Sequence, residues 1–268
     1  MKQTVAFLGV LVAAGTVSAL AFSVPTGASF SKTGLRGTTH FAVPGLAAED
    51  VALQAFDFRF TSGDHEIQSI GLMPEKNAAR VAFQDGDAND VFNLKARFFN
   101  SPWPSGKIVR RSACRKSCEI PIETNYHSGT PHFALAGFSL KRKGGDSNIR
   151  QIKLRTSADQ TKLEVAFRDN GGFLFDVEVA YATMPRSSFA AYGTKQLRRT
   201  KKEAQLSFNL PNNGRPILRG FDLEFENGDH HLKELAVQGD NGRFSVRYND
   251  QNYHDPYSAT IDWGVMKP

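Results

Sequence analysis

Three stretches of this 268-residue chain superimpose on one another as text. They read LQAFDFRFTSGDHEIQSI from Leu53, LAGFSLKRKGGDSNIRQI from Leu135 and LRGFDLEFENGDHHLKEL from Leu218. Phe56, Phe138 and Phe221 take the same place in each, 82 and then 83 residues apart. Each stretch carries a Gly-Asp pair (Gly63-Asp64, Gly145-Asp146, Gly228-Asp229) and then paired apolar residues, Ile67/Ile70, Ile149/Ile152 and Leu232/Leu235. Downstream, Phe83, Phe167 and Tyr248 each precede an acidic turn at Asp85, Asp169 and Asp250. Upstream, each has a lead-in ending in proline, at Pro44, Pro121 and Pro211. Self-similarity at one period means a fold assembled from like units. The Pro-rich stretches SPWPSG and MPRSS suggest units at residues 22–104, 105–185 and 186–268.

The pattern within a unit is all-β. Phe56, Phe58 and Phe60 alternate with Asp57 and Arg59, the period of a half-buried strand. The other runs are short and bounded by Gly, Asp, Asn and Pro, which supply turns. Apolar residues at 40% and 21 phenylalanines are enough for packed cores and exclude a disordered chain. Five or six strands per unit predict a small antiparallel β-sandwich. Units this small are marginal alone, so three tandem sandwiches are expected to pack as a pseudo-trimer. Only residues 197–206 suit a helix, and their charges fit an exposed loop equally well.

Residues 1–21 read as a secretory signal, with Lys2 before an apolar run at 5–14 and small residues at Ala19 and Ala21. The run is shorter than a membrane span needs, and no later segment is a transmembrane candidate. A secreted protein is expected. In that compartment Cys114 and Cys118 should form a local disulfide that shapes a loop.

The acidic turns offer hard oxygen ligands at close spacing. Asp85, Asp87, Asn89 and Asp90 are a candidate calcium set, and Asp250, Asn252 and Asp255 a second. They lack the closing Glu of a helix-loop-helix calcium site, and the same residue types build plain turns. Gly-Asp-His at residues 63–65 and 228–230 invites a metal or general-base reading. Asp229, His230 and His231 would be the working residues of a metal-dependent hydrolase. The second unit has Ser147 in place of histidine, and a hairpin turn accounts for Gly-Asp in all three. The net charge of +6 is unevenly spread. Residues 105–185 hold 13 Lys+Arg against 8 Asp+Glu, and residues 22–104 hold 7 against 9. Basic residues surround the cysteines, and Lys141-Arg142-Lys143 forms a second run. They lack the aromatic interleaving of a single-strand nucleic-acid site, so no specific nucleic-acid partner is expected.

The third unit, LSFNLPNNGRPILRGFDLEF followed by GRFSVRYNDQNYHDPYSATIDWGVM, resembles the H-type lectins. The similarity lies in the F-x-x-P lead-in, Arg215-Pro216 before a strand, and the closing Y-S-x-x-I-x-W at Trp263. It covers one unit directly and the others through the repeat. It implies six-stranded sandwiches that bind sugars and assemble in threes. The sugar site it implies is Asp250, Asn252, Tyr253, His254 and Asp255, with Tyr253 stacking on the ring. The resulting expectation is a secreted, non-catalytic lectin-like protein, not an enzyme. It would bind glycans or acidic surface polysaccharide as a monomeric pseudo-trimer or homo-oligomer and require no cofactor, with calcium the one candidate. The alternatives are a matrix-assembly protein and, after it, the metal-dependent hydrolase.

Overall fold

A computed structural model describes residues 27–46, 51–86, 89–100, 106–123, 132–145, 147–211, 214–240 and 242–267. The signal-like segment lies outside them. Among the described residues, no helix is long and apolar enough to cross a membrane.

Among the described residues, eighteen strands and one 3-10 turn, Arg186–Ser188, make up the regular structure. The first six are β1 (Ser29–Arg36), β2 (Thr38–Ala42), β3 (Val51–Phe60), β4 (Ser69–Glu75), β5 (Ala78–Gln84) and β6 (Val91–Asn100). The next six are β7 (Gly106–Arg115), β8 (Ser117–Pro121), β9 (His132–Arg142), β10 (Gln151–Thr156), β11 (Lys162–Arg168) and β12 (Leu174–Met184). The last six are β13 (Phe189–Thr200), β14 (Ala204–Ser207), β15 (Arg215–Phe225), β16 (Glu234–Asp240), β17 (Arg243–Asn249) and β18 (Tyr257–Met266). Residues 197–206 thus serve two strands and no helix.

The strands form three six-stranded antiparallel sheets. Sheet I runs β1-β6-β3-β16-β17-β14. Sheet II runs β7-β12-β9-β4-β5-β2, and sheet III β13-β18-β15-β10-β11-β8. The ladders of sheets II and III are joined through one residue pair, Arg115 and Ser117, where β7 turns into β8. The expected set of three closed sandwiches is corrected here: each sheet takes three strands from one third of the chain and three from another. The seams are the pairs β3/β16, β9/β4 and β15/β10. Alternation gives each strand an apolar face but says nothing of which edge it bonds to, so the exchange is invisible in the period.

The apolar faces turn inward. Phe56, Phe138 and Phe221 meet on the central axis at ring separations of 5.4, 5.4 and 5.6 Å. Beyond them, buried Ile67, Ile149 and Leu232 close one end. Around that end the chain bonds across all three thirds: His65 pairs with Leu232, Ile149 with His230, and the Ile67 N–H donates to the Ser147 carbonyl at 2.8 Å. The connections that carry Gly63, Gly145 and Gly228 are thereby set at the three vertices of one end. An extra residue bulges each inner strand at Gln54, Ala136 and Arg219. Bulging re-aims a side chain. Gln54 donates to the Pro216 carbonyl and Arg219 to the Phe133 carbonyl, both at 3.0 Å.

Candidate metal centres at two of three vertices

At the first vertex, His65 lies in the β3–β4 connection, and Asp85 and Asp90 lie in the β5–β6 connection. His65 Nδ1 is 2.8 Å from Asp90 Oδ2 and 3.3 Å from Asp85 Oδ2. Its Nε2 is 3.0 Å from the Ser62 carbonyl oxygen, and the ring packs on Phe60 at 4.3 Å. A carbonyl only accepts, so Nε2 carries a proton, and Nδ1 is the nitrogen that faces two carboxylates. The third vertex repeats this. His230 Nδ1 is 3.1 Å from Asp255 Oδ2, Nε2 is 3.0 Å from the Asn227 carbonyl, and the ring packs on Phe225 at 4.6 Å. Asp250 completes the set, with the ligand atoms of each cluster all within 4.8 Å of one another. Burial pushes the Asp250 carboxyl above its ordinary range, and a hydrogen bond with Asp255 adds to the rise. Its other commitment is accepting the Tyr253 N–H at 2.8 Å.

A lone pair and two carboxylates facing one another repel unless a cation lies among them. A metal ion meets that need, as does a proton shared between the carboxyls, the arrangement the Asp250–Asp255 hydrogen bond represents. The backbone carbonyl behind Nε2 is the usual outer partner of a metal-ligating histidine, since it fixes the tautomer that leaves the other nitrogen free. One imidazole with two carboxylates is a mixed donor set suited to transition ions. It supports divalent-cation binding in general and does not single out calcium, whose shells are built from oxygen.

The second vertex keeps the first aspartate of the acidic turn, as Asp169, and differs at the other positions. Ser147 replaces the histidine and donates to Asp169 Oδ2 at 3.1 Å. Phe173 stands where Asp90 and Asp255 stand, and Arg142, in the place of Phe60 and Phe225, lies over its ring at 4.4 Å. A fixed guanidinium against an aromatic ring takes over the corner.

Of the residues expected to bind sugar, Asp250 and Asp255 converge on His230. Asn252 and His254 are exposed, and the Tyr253 hydroxyl accepts from Arg59 Nη2 at 3.3 Å. Of the expected calcium set, Asp85 and Asp90 converge on His65. The Asn89 carbonyl accepts from Arg36 at 2.9 Å, and Asp87 lies outside the described residues. Among the hydrolase candidates only His230 joins a cluster. Asp229 accepts from Asn170 at 2.9 Å, and His231 faces Glu66 at 3.7 Å. The link between Gly-Asp-His and the acidic turn was missed. The signal was present: His and the Asp-x4-Asp spacing occur together in the first and third units and are both missing from the second.

Cys114 and Cys118 form the expected disulfide at the β7–β8 corner, with Cα atoms 5.5 Å apart. The expectation of a strictly non-enzymatic protein is overturned by the two clusters, which are competent metal chelators and so bring metal-dependent chemistry within reach. No family model matches the chain, and no curated protein matches its sequence. What stands of the lectin resemblance is an all-β fold of several antiparallel sheets.

Proposed function

We propose that this is an exported metal-dependent hydrolase, built by threefold repetition of one unit and carrying two divalent-metal centres. The observation that supports it is the pair of His–Asp–Asp clusters, each with its histidine Nε2–H tied to a main-chain carbonyl and Nδ1 turned to two carboxylates. Three protein ligands leave coordination positions for water and substrate, the arrangement of catalytic rather than closed structural sites. A bound divalent ion would supply Lewis acidity and lower the pKa of a bound water. His65 and His230 would hold their nitrogens in place through the Ser62 and Asn227 carbonyls.

The decisive experiment loads the chelator-stripped protein with Zn²⁺ or Mn²⁺ and measures bound metal and hydrolysis of ester, phosphoester and glycoside probes. Two ions per chain are expected, falling to one in His65→Ala or His230→Ala and to none in the double variant, with turnover abolished by EDTA. No bound metal refutes the reading entirely. Two bound ions without turnover of any probe refute hydrolysis and leave a structural role.

That structural role is the second reading, and one observation favours it. Each cluster joins the two connections that carry the chain between a pair of sheets, I and II at the first vertex and III and I at the third. A metal there would staple sheets together in an assembly protein.

A further inference from the structure

The second vertex, which has no His–Asp–Asp cluster, gathers charge of the opposite kind. Five cationic side chains surround the start of β12. Arg115 lies opposite Leu174, Arg142 opposite Phe175 and Lys141 opposite Asp176 in the neighbouring strands. The Lys143 N–H donates to the Leu174 carbonyl at 2.8 Å. The Lys116 stem crosses Gly172 so closely that a Cβ there would overlap its Cγ. Strand spacing of about 4.8 Å holds these residues together whatever their mutual repulsion. Lys143 is neutralised by Asp176 at 3.2 Å. Arg115, Lys116 and Lys141 are exposed and enter no ion pair among the described residues. The fold does not demand this charge. The matching positions are Arg36, Gly37, Arg59, Phe60 and Thr61 at the first vertex, and Lys201, Lys202, Glu224, Phe225 and Glu226 at the third.

We infer that this vertex is a docking surface for an anionic polysaccharide bearing sulfate or carboxylate groups. Closely held, unpaired cations gain most from a polymer that brings several anions at once, because each contact releases counterions. The apolar group among them is the aliphatic Leu174, 43% exposed, and the Phe173 ring is buried beneath Arg142. The surface therefore offers no stacking platform for bases, which favours a polysaccharide over single-stranded nucleic acid. It does not depend on the metal centres.

The test measures binding of the whole protein to heparin, as a sulfated polysaccharide, across a salt series in EDTA. The comparison is a triple variant, Arg115→Gln, Lys116→Asn, Lys141→Gln, with Lys195→Gln, Arg198→Gln, Lys201→Gln as a control of equal charge change. The wild type and the control should bind alike. The triple variant should bind at least tenfold more weakly, with the slope of log affinity against log salt reduced by about two to three. The single reversal Lys141→Glu should weaken binding in the same direction without touching the core. Equal losses in control and variant would overturn the surface. So would equal binding of neutral dextran. Tighter binding of single-stranded DNA than of heparin would overturn the choice of partner.

Discussion

His132 opens β9, at the far end of that strand from the vertices, and is 3% exposed. It packs on Tyr192 at 4.2 Å and Phe189 at 5.3 Å. Burial, helped by the nearby Arg219 and Arg186 guanidiniums, depresses its pKa from 6.5 to about 4. The folded state thus holds a neutral imidazole that the unfolded chain protonates more readily. Its stabilisation is complete above pH 6.5 and is lost as pH falls toward 4, by about 3 kcal/mol at most. The urea midpoint of the wild type should therefore fall relative to that of His132→Phe between pH 7 and pH 4.5; parallel curves would refute this. Nothing in the sequence singled out His132, because its shift arises from burial in the folded chain, to which Arg219, 87 residues further on, adds. His65 and His230 were legible as residues. Their partners were also legible, as acidic turns. The pairing was not, since it is made across two connections some 20 residues apart that the fold brings to one vertex.

At the level of strands, the seams explain three glycines that alternation alone leaves unexplained. A Cβ at Gly220 would lie 2.6 Å from the Leu154 carbonyl oxygen, and one at Gly137 2.6 Å from that of Leu72. At Gly71 it would lie 2.8 Å from the Phe138 oxygen. These residues let strands from different thirds approach closely enough to bond. Gly220→Ala should cost about 1–3 kcal/mol in denaturant unfolding by forcing β15 from β10. An unchanged midpoint would show that the seam yields. The connections at the first and third vertices make a second prediction at this scale. A metal present at one hundred times its dissociation constant stabilises the folded chain by about 2.7 kcal/mol per site. EDTA should lower the melting temperature of the wild type and leave the His65→Ala, His230→Ala double variant unmoved. Strand positions were readable from the alternation of residues such as Phe56, Phe58 and Phe60. Which strands share a sheet was not, because backbone hydrogen bonding leaves no trace in side-chain order.

Over the whole molecule, the three sheets meet at one aromatic contact. Phe56, Phe138 and Phe221 come from β3, β9 and β15, the strands at the three seams. Phe138→Ala should destabilise the protein by about 3–5 kcal/mol, the range for deleting a buried phenyl ring. It should do so in a single unfolding transition, since no sheet belongs to one third alone. Two separate transitions would mean that the thirds melt independently.

The seam between β3 and β16 also governs when this protein can fold. Arg59 pairs with Glu234, 175 residues later in the chain. While the ribosome is making the middle third, β3 has β6 on one side and nothing on the other. The first sheet begun is among the last finished. Such non-local closure is slow, and open strand edges in the meantime invite aggregation. Sheet I therefore stays open along β3 until residues 234–238 have been made, through most of synthesis.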